Sequence, residues 1–152
     1  MPARTGKVAA ITDLVLEVFE LNGRLLRAGD NLVRDVGLSS ARWQVLGTVA
    51  TQPASMAAIG RRMGRARQSV REVAEKLAAE GLVSLVPDES DRRAPRLEIS
   101  ERGHELLHQV APRQIRWARW LAQGCSASEL DTTVKVLRRL GLRLASAEGD
   151  AP

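Results

Sequence analysis

Ser55-Met56-Ala57-Ala58-Ile59-Gly60-Arg61-Arg62-Met63-Gly64-Arg65-Ala66-Arg67-Gln68-Ser69-Val70-Arg71 reads as two short helices around a tight turn. Ser55 is a residue type that caps helix starts, because its hydroxyl oxygen accepts from a backbone N–H two or three residues on. Met56, Ile59 and Met63 follow at helical spacing on one face. Gly64 ends that helix, and Gly64-Arg65-Ala66 has the length of a helix-turn-helix connection. The next helix is expected from Arg67 to Glu80, with Val70, Ala74 and Leu77 as its buried edge and Gly81 as its stop. Gly60, lacking a side chain, lets the two helices cross closely.

Charge follows the same pattern. Arg61, Arg62, Arg65, Arg67 and Arg71 fall within this stretch, and no acid does. They surround the start of the second helix, where free N–H groups and the helix dipole already favour phosphate. Gln68, Ser69 and Arg71 occupy its first turns, opposite Val70 and Ala74. Gln pairs bidentately with adenine and Arg with guanine, so these residue types suit base readout. A basic run is often only a solvated helix face. Here a second basic group follows at the tip of an expected hairpin, which favours DNA. Leu82–Val86 and Arg96–Ile99 read as its strands, and Arg92 and Arg93 lie in the turn-rich loop between them, within reach of a minor groove or its phosphates. Helix, turn, helix and hairpin make a winged helix-turn-helix, in which the second helix enters the major groove. The expected DNA-binding set is Arg61, Arg65, Arg67, Gln68, Ser69, Arg71, Arg92 and Arg93.

On the N-terminal side, a helix over Val8–Val36 carries Ile11, Leu14, Val15, Val18, Leu21, Leu25 and Leu32 at three- and four-residue steps, the period of a buried stripe. Gly37 stops it. Ser39 then caps a second helix bearing Trp43, Leu46 and Val49. On the C-terminal side, Ser100 caps a long helix to about Ala122, with a bend expected at Pro112. Ser126 and Glu129 have capping-box spacing and open a last helix with Leu130, Val134, Leu137 and Leu144. Glu148–Pro152 is expected to fray. The fold class is mainly α with a small β-hairpin. Residues 37–100 form the DNA-binding region, and residues 1–36 and 101–152 form helical dimerisation regions, in one compact domain overall. The flanking helices carry more apolar residues than a winged unit of this size covers, so a second copy is expected against them.

The 152-residue chain is 44% hydrophobic and only 3% aromatic, with no Tyr and one Phe, which suits helices packed through Leu, Val and Ala. Its net charge of +5 is compatible with a polyanionic partner. Of its 23 cations 20 are Arg, so composition bias alone accounts for part of the excess. No targeting signal or membrane span is visible, and the single Cys125 excludes an internal disulfide, so a cytoplasmic protein is expected.

On these residues the chain resembles the MarR family of bacterial transcriptional regulators. The resemblance runs from about residue 10 to 146, through Gly37-Leu38-Ser39-Ser40-Ala41-Arg42-Trp43-Gln44-Val45-Leu46, Arg67-Gln68-Ser69-Val70 and Glu80-Gly81-Leu82-Val83. Asp88-Glu89-Ser90-Asp91-Arg92-Arg93 with Leu97-Glu98-Ile99-Ser100-Glu101-Arg102-Gly103 is its most specific part. The resemblance implies a homodimer held by the first, fifth and sixth helices. It implies a wing whose Arg92 or Arg93 contacts DNA, with Asp91 orienting the wing by ion pairing. It also implies a near-palindromic double-stranded operator, commonly repressed, and release by a small aromatic or phenolic effector. The family's pocket near the first two helices points to Asn22, Arg42 and Trp43. Ala66 stands where a capping Ser or Thr is usual, and Ser100 replaces the usual Thr.

Two other readings stand beside it. A winged helix can serve as a protein-interaction module, although such modules lack a basic recognition helix. His104-Glu105-Leu106-Leu107-His108 matches the zinc-hydrolase signature H-E-x-x-H, with Glu105 as general base. The chain has no third His, and a carboxylate such as Glu129 or Asp131 would have to complete the site. No cofactor, metal site or catalytic residue is assigned. Cys125 has no cation within four residues to lower its pKa, so redox sensing is not assigned to it. Trp117 and Trp120 are expected in an interface or core.

Overall fold

Local signals place most of the element boundaries. A computed structural model describes residues 6–147 of the chain; the fraying expected over 148–152 lies outside the described residues. Helix α1 spans Lys7–Val33 and passes into a 3-10 turn, Arg34–Val36, that ends at Gly37. Helix α2, Ser40–Val49, begins where the Ser39 hydroxyl accepts from Arg42 N–H. Strand β1, Ala54–Ser55, leads into α3, Met56–Met63, and α4 spans Arg67–Ala79. Strands β2, Val83–Val86, and β3, Arg96–Ile99, flank the wing; α5, Glu101–Leu121, and α6, Ala127–Ala147, complete the chain. Helix α5 stays a single helix across Pro112.

The chain divides into two units, through Arg113 and from Gln114. In the first, Val33, Leu46, Val49, Ile59, Val70, Leu77, Leu97 and Val110 are fully or almost fully buried in one core. Each such side chain contributes roughly 1.5–3 kcal/mol relative to exposure. The sheet has three antiparallel strands in the order β1-β3-β2, one more than the expected hairpin. The extra strand is two residues long, pairing Ala54 with Leu97 and Ser55 with Arg96, too short to show an alternating pattern.

Where β3 turns into α5 the backbone is closely packed. Ser100 N–H donates to Leu82 O (3.0 Å), and the Ser100 hydroxyl donates to Gly81 O (2.7 Å) while accepting from Gly103 N–H (3.0 Å). A Cβ on Gly103 would lie 2.4 Å from Leu82 O and 2.7 Å from Ile99 Cγ1. Only glycine fits there.

The stripe on α1 is not buried along its length. Gly29 and Val33, near the crossing with α2, are buried, whereas Ile11, Val15, Val18, Leu21 and Leu25 are exposed and Leu14 and Leu32 half-buried. The physical reason is where α1 is covered: its apolar face meets the core only near its C-terminal end.

In the second unit, Ser126 and Glu129 form the expected capping box. Ser126 N–H and hydroxyl donate to Glu129 Oε2 (2.8 and 2.7 Å), and Glu129 N–H donates to Ser126 Oγ (3.2 Å). The Ser126 N–H bond, then the hydroxyl bond, hold the Glu129 carboxyl below its ordinary range. Leu130, Val134, Leu137 and Leu144 are exposed, and so is Trp120, with Trp117 half-buried.

Gly103→Ala is expected to destabilise the protein by about 1–3 kcal/mol through overpacking, read as a lower urea midpoint at unchanged slope. Because the Glu129 carboxyl is held low when folded, its contribution to α6 is present above the ordinary carboxylate range and lost as pH falls through the lowered value. Protection of the Ser126 amide, measured against its intrinsic exchange rate at each pH, should therefore fall selectively on acidification, and Glu129→Gln should abolish that dependence.

Candidate nucleic-acid interface

The two helices of the central motif are held at contact distance. Ser55 Oγ accepts from Ala58 N–H (3.2 Å), Met56 and Ile59 are buried, and Gly64 adopts the left-handed conformation that ends α3. Arg65 N–H donates to Gly60 O (2.9 Å), and a Cβ on Gly60 would stand 2.8 Å from Arg65 O. Gly60 thus admits the backbone of the turn itself, a tighter constraint than a helix crossing.

Helix α4 is anchored through Val70, Ala74 and Leu77, all buried. That rotation exposes Arg67, Gln68 and Arg71 and leaves Ser69 half-buried. Arg61 and Arg62, at the end of α3, are exposed, and Arg65, in the turn, is half-buried. Ala66 has the extended backbone of a cap but no polar side chain, so the start of α4 has no side-chain cap hydrogen bond. Arg71 Nε lies 3.5 Å from Glu75 Oε1, both largely exposed, a solvent-screened pair that phosphate can displace.

The wing brings the second basic group to the first. Arg67 and Arg71 of α4 and Arg93 of the wing line one hollow of about 190 Å³, closed by Ser55, Met56 and Pro95. Three arginines line this one hollow and no acid does, so its charge suits an anion. Arg92 behaves differently: it lines a separate hollow with Pro87, Asp88 and Glu89. Adjacent in sequence, the two wing arginines serve different surfaces.

The expected ion pair at Asp91 is not what holds the wing. Asp91 Oδ1 accepts from Arg93 N–H (3.0 Å), its carbonyl accepts from Ala94 N–H (3.1 Å), and it makes no ion pair among the described residues. Its carboxylate lies three residues beyond Asp88 and is engaged by backbone. Asp88 carries the ion pair, to Arg96 (3.5 Å), and its Oδ1 accepts from the N–H and hydroxyl of Ser90 (2.9 and 2.7 Å). The Ser90 hydroxyl, then its N–H, with Arg96 adding less, keep the Asp88 carboxyl below its ordinary range against a desolvation effect. Sequence reasoning missed Asp88, Ser90 and Arg96; only the Asp-x-Ser spacing of a side-chain-capped turn hints at the first two.

The expected effector residues lie on the first two helices. Arg42 is committed to Glu80 and Gly37 O, Trp43 is half-buried against the core, and Asn22 is exposed on α1. A hollow of about 470 Å³ opens between Val36, Glu80, Leu82, Arg102, Glu105 and Gln109, and none of the three lines it. His104 and His108 are exposed on α5, and among the described residues no three His, Cys, Asp or Glu side chains cluster as metal ligands. Cys125 is exposed. No helix among the described residues is long and apolar enough to cross a membrane.

A recognition helix with an outward basic face, a tight glycine-bearing turn and a basic wing beside it define a winged helix-turn-helix DNA-binding protein. A family model described as MarR family matches residues 36–94. The chain is 35% identical over 130 residues to the uncharacterized protein Rv2011c of Mycobacterium tuberculosis, covering 86% of this chain and 91% of that one. It is 25% identical over 136 residues to the transcriptional repressor MprA of Escherichia coli, covering 86% and 76%. The crystal structure of CouR from Rhodococcus jostii, bound to p-coumaroyl-CoA, superposes with a TM-score of 0.76 at 20% identity over 85% of this chain and 92% of that one. The chain belongs to the MarR family of transcriptional regulators, and it is a regulator rather than an enzyme.

Ala66→Ser should supply the missing cap and stabilise the protein by about 1 kcal/mol. Chemical denaturation should show this as a raised midpoint, and no change would mean that the α4 start is already satisfied.

Proposed function

We propose that the protein is a homodimer that reads a near-palindromic double-stranded operator, represses the genes beside it and releases DNA when a small ligand binds. The observation that carries the DNA reading is the shared hollow of Arg67, Arg71 and Arg93. One phosphate there would be held by helix and wing together, registering α4 in the major groove. Gln68, exposed on the first turn of α4, is the base reader, and Arg61 and Arg65 add backbone contacts. Arg92, on its separate surface, reaches toward the adjacent minor groove.

The dimer reading rests on two apolar surfaces, each within its own unit: Val15, Val18, Leu21 and Leu25 on α1, and Leu130, Val134 and Leu137 on α6. Such stripes favour a second copy over water. Two-fold symmetry sets the recognition helices about 34 Å apart, one helical turn of DNA. Repression is supported by the name of the relative MprA, and a ligand by the p-coumaroyl-CoA bound in the similarly folded CouR. Action on chromosomal DNA corresponds to a cytoplasmic protein.

Titration of duplex DNA at two salt concentrations tests the reading. Arg93→Ala should weaken binding to all sequences and flatten the slope of log affinity against log salt by about one. Gln68→Ala should instead cost about 1–3 kcal/mol only at particular bases. Equal losses on every sequence from both changes would refute the assignment of readout, and affinity indifferent to both would favour a protein-interaction module. Sedimentation should give twice the chain mass, and Val18→Asp with Leu137→Asp should give the monomer and lose operator binding.

A further inference from the structure

No apolar side chain of the wing is fully buried to fix it in place. Among Pro87–Pro95 no residue is buried, and Asp88, with a side chain 19% exposed, is drawn in only by polar partners. Yet Arg93 shares a hollow with Arg67 and Arg71, whose like charges repel it. Something polar has to restrain the tip.

We infer that Asp88 and Arg96 form a brace across the base of the wing that positions Arg93 for DNA phosphate, which makes Asp88 and Arg96 positioning residues of the interface. The inference rests on the DNA-binding reading above. Arg96 is the best-anchored residue next to the wing, because its rung of the central strand β3 pairs with Ser55 on one side and Val86 on the other. Its Nε is buried and hydrogen-bonded to nothing, with Asp88 Oδ2 3.5 Å away. Removing Asp88 therefore leaves a partly desolvated guanidinium facing no anion. Asp88 follows Val86, the end of β2, by two residues, so the pair closes the Glu89–Pro95 segment at its root. The other Asp88 oxygen ties Ser90 by two hydrogen bonds, and Asp91 then ties Arg93 N–H. These contacts run without a gap from the sheet to the backbone of Arg93.

Charge and position give opposite signs for Asp88→Asn. Deleting an acid near a DNA face should strengthen binding and leave Arg93 untouched; deleting the brace should weaken binding and make Arg93 idle. A double-mutant cycle on the full chain, titrated with one duplex of fixed arbitrary sequence, separates them. Asp88→Asn is expected to flatten the salt slope by about one, as Arg93→Ala does. The double variant should bind no more weakly than Arg93→Ala alone, while Arg71→Ala adds its full loss to Asp88→Asn. Arg96→Met, which removes the guanidinium and with it the ion pair, should reproduce the salt slope of Asp88→Asn. In the DNA-free protein the Ser90 and Arg93 amides should exchange faster in Asp88→Asn. A wild-type salt slope for Asp88→Asn, additive losses with Arg93→Ala, or unchanged amide protection would each overturn the brace. If Arg93→Ala itself leaves the slope unchanged, the DNA reading at the wing fails as well, which separates the two failures.

Discussion

Burial of Val70, Ala74 and Leu77 against the core sets the rotation of α4, and the rest of the DNA-facing surface depends on that angle. A helix has one solution that buries those three positions, and it turns Arg67, Gln68 and Arg71 outward. Together these contacts contribute several kcal/mol, against which repulsion among exposed arginines in water is a small cost. The fold thereby tolerates a concentration of like charge that is useful only when a polyanion arrives.

Around that helix the remaining constraints are short-range. Gly60 admits the backbone of Arg65, which brings the start of α4 close to α3. Gly103 admits Leu82 O, which seats the base of the sheet against α5. The wing grows from that base, and its tip returns Arg93 to the α4 arginines. Each step positions the next, so an error of one side chain at Gly60 or Gly103 is carried to the tip. The uncapped start of α4 fits the same logic: stability given up at Ala66 leaves N–H groups free where phosphate is expected.

Much of the fold was legible because its signals are local. Ser39, Ser55 and Ser126 act on residues three positions away, and spacing alone reveals that. Strand β1 was not legible, because two residues carry no period and pair with a partner some forty positions on. The basic set around α4 was readable as a set, but the divergence of Arg92 from Arg93 was not, since it depends on the turn that Asp88, Ser90 and Asp91 build. The Asp88–Arg96 pair spans the loop and leaves no mark in sequence spacing. Nothing in spacing marks the contacts of Asn22, Arg42 and Trp43: Arg42 is held by Glu80, and none of the three lines the hollow between Val36 and Gln109. The α1 stripe was visible as a stripe, while what covers it depends on more than the helix itself.

The central claim is that helix α4 and the wing act as one DNA-binding surface, and amide hydrogen exchange of the full chain with and without duplex DNA tests it most directly. New protection should appear together over Arg65–Arg71 and over Ser90–Ala94, at one DNA concentration and with one salt sensitivity. Protection confined to one of the two segments, or found only on α5 and α6 while both stay unchanged, would contradict it.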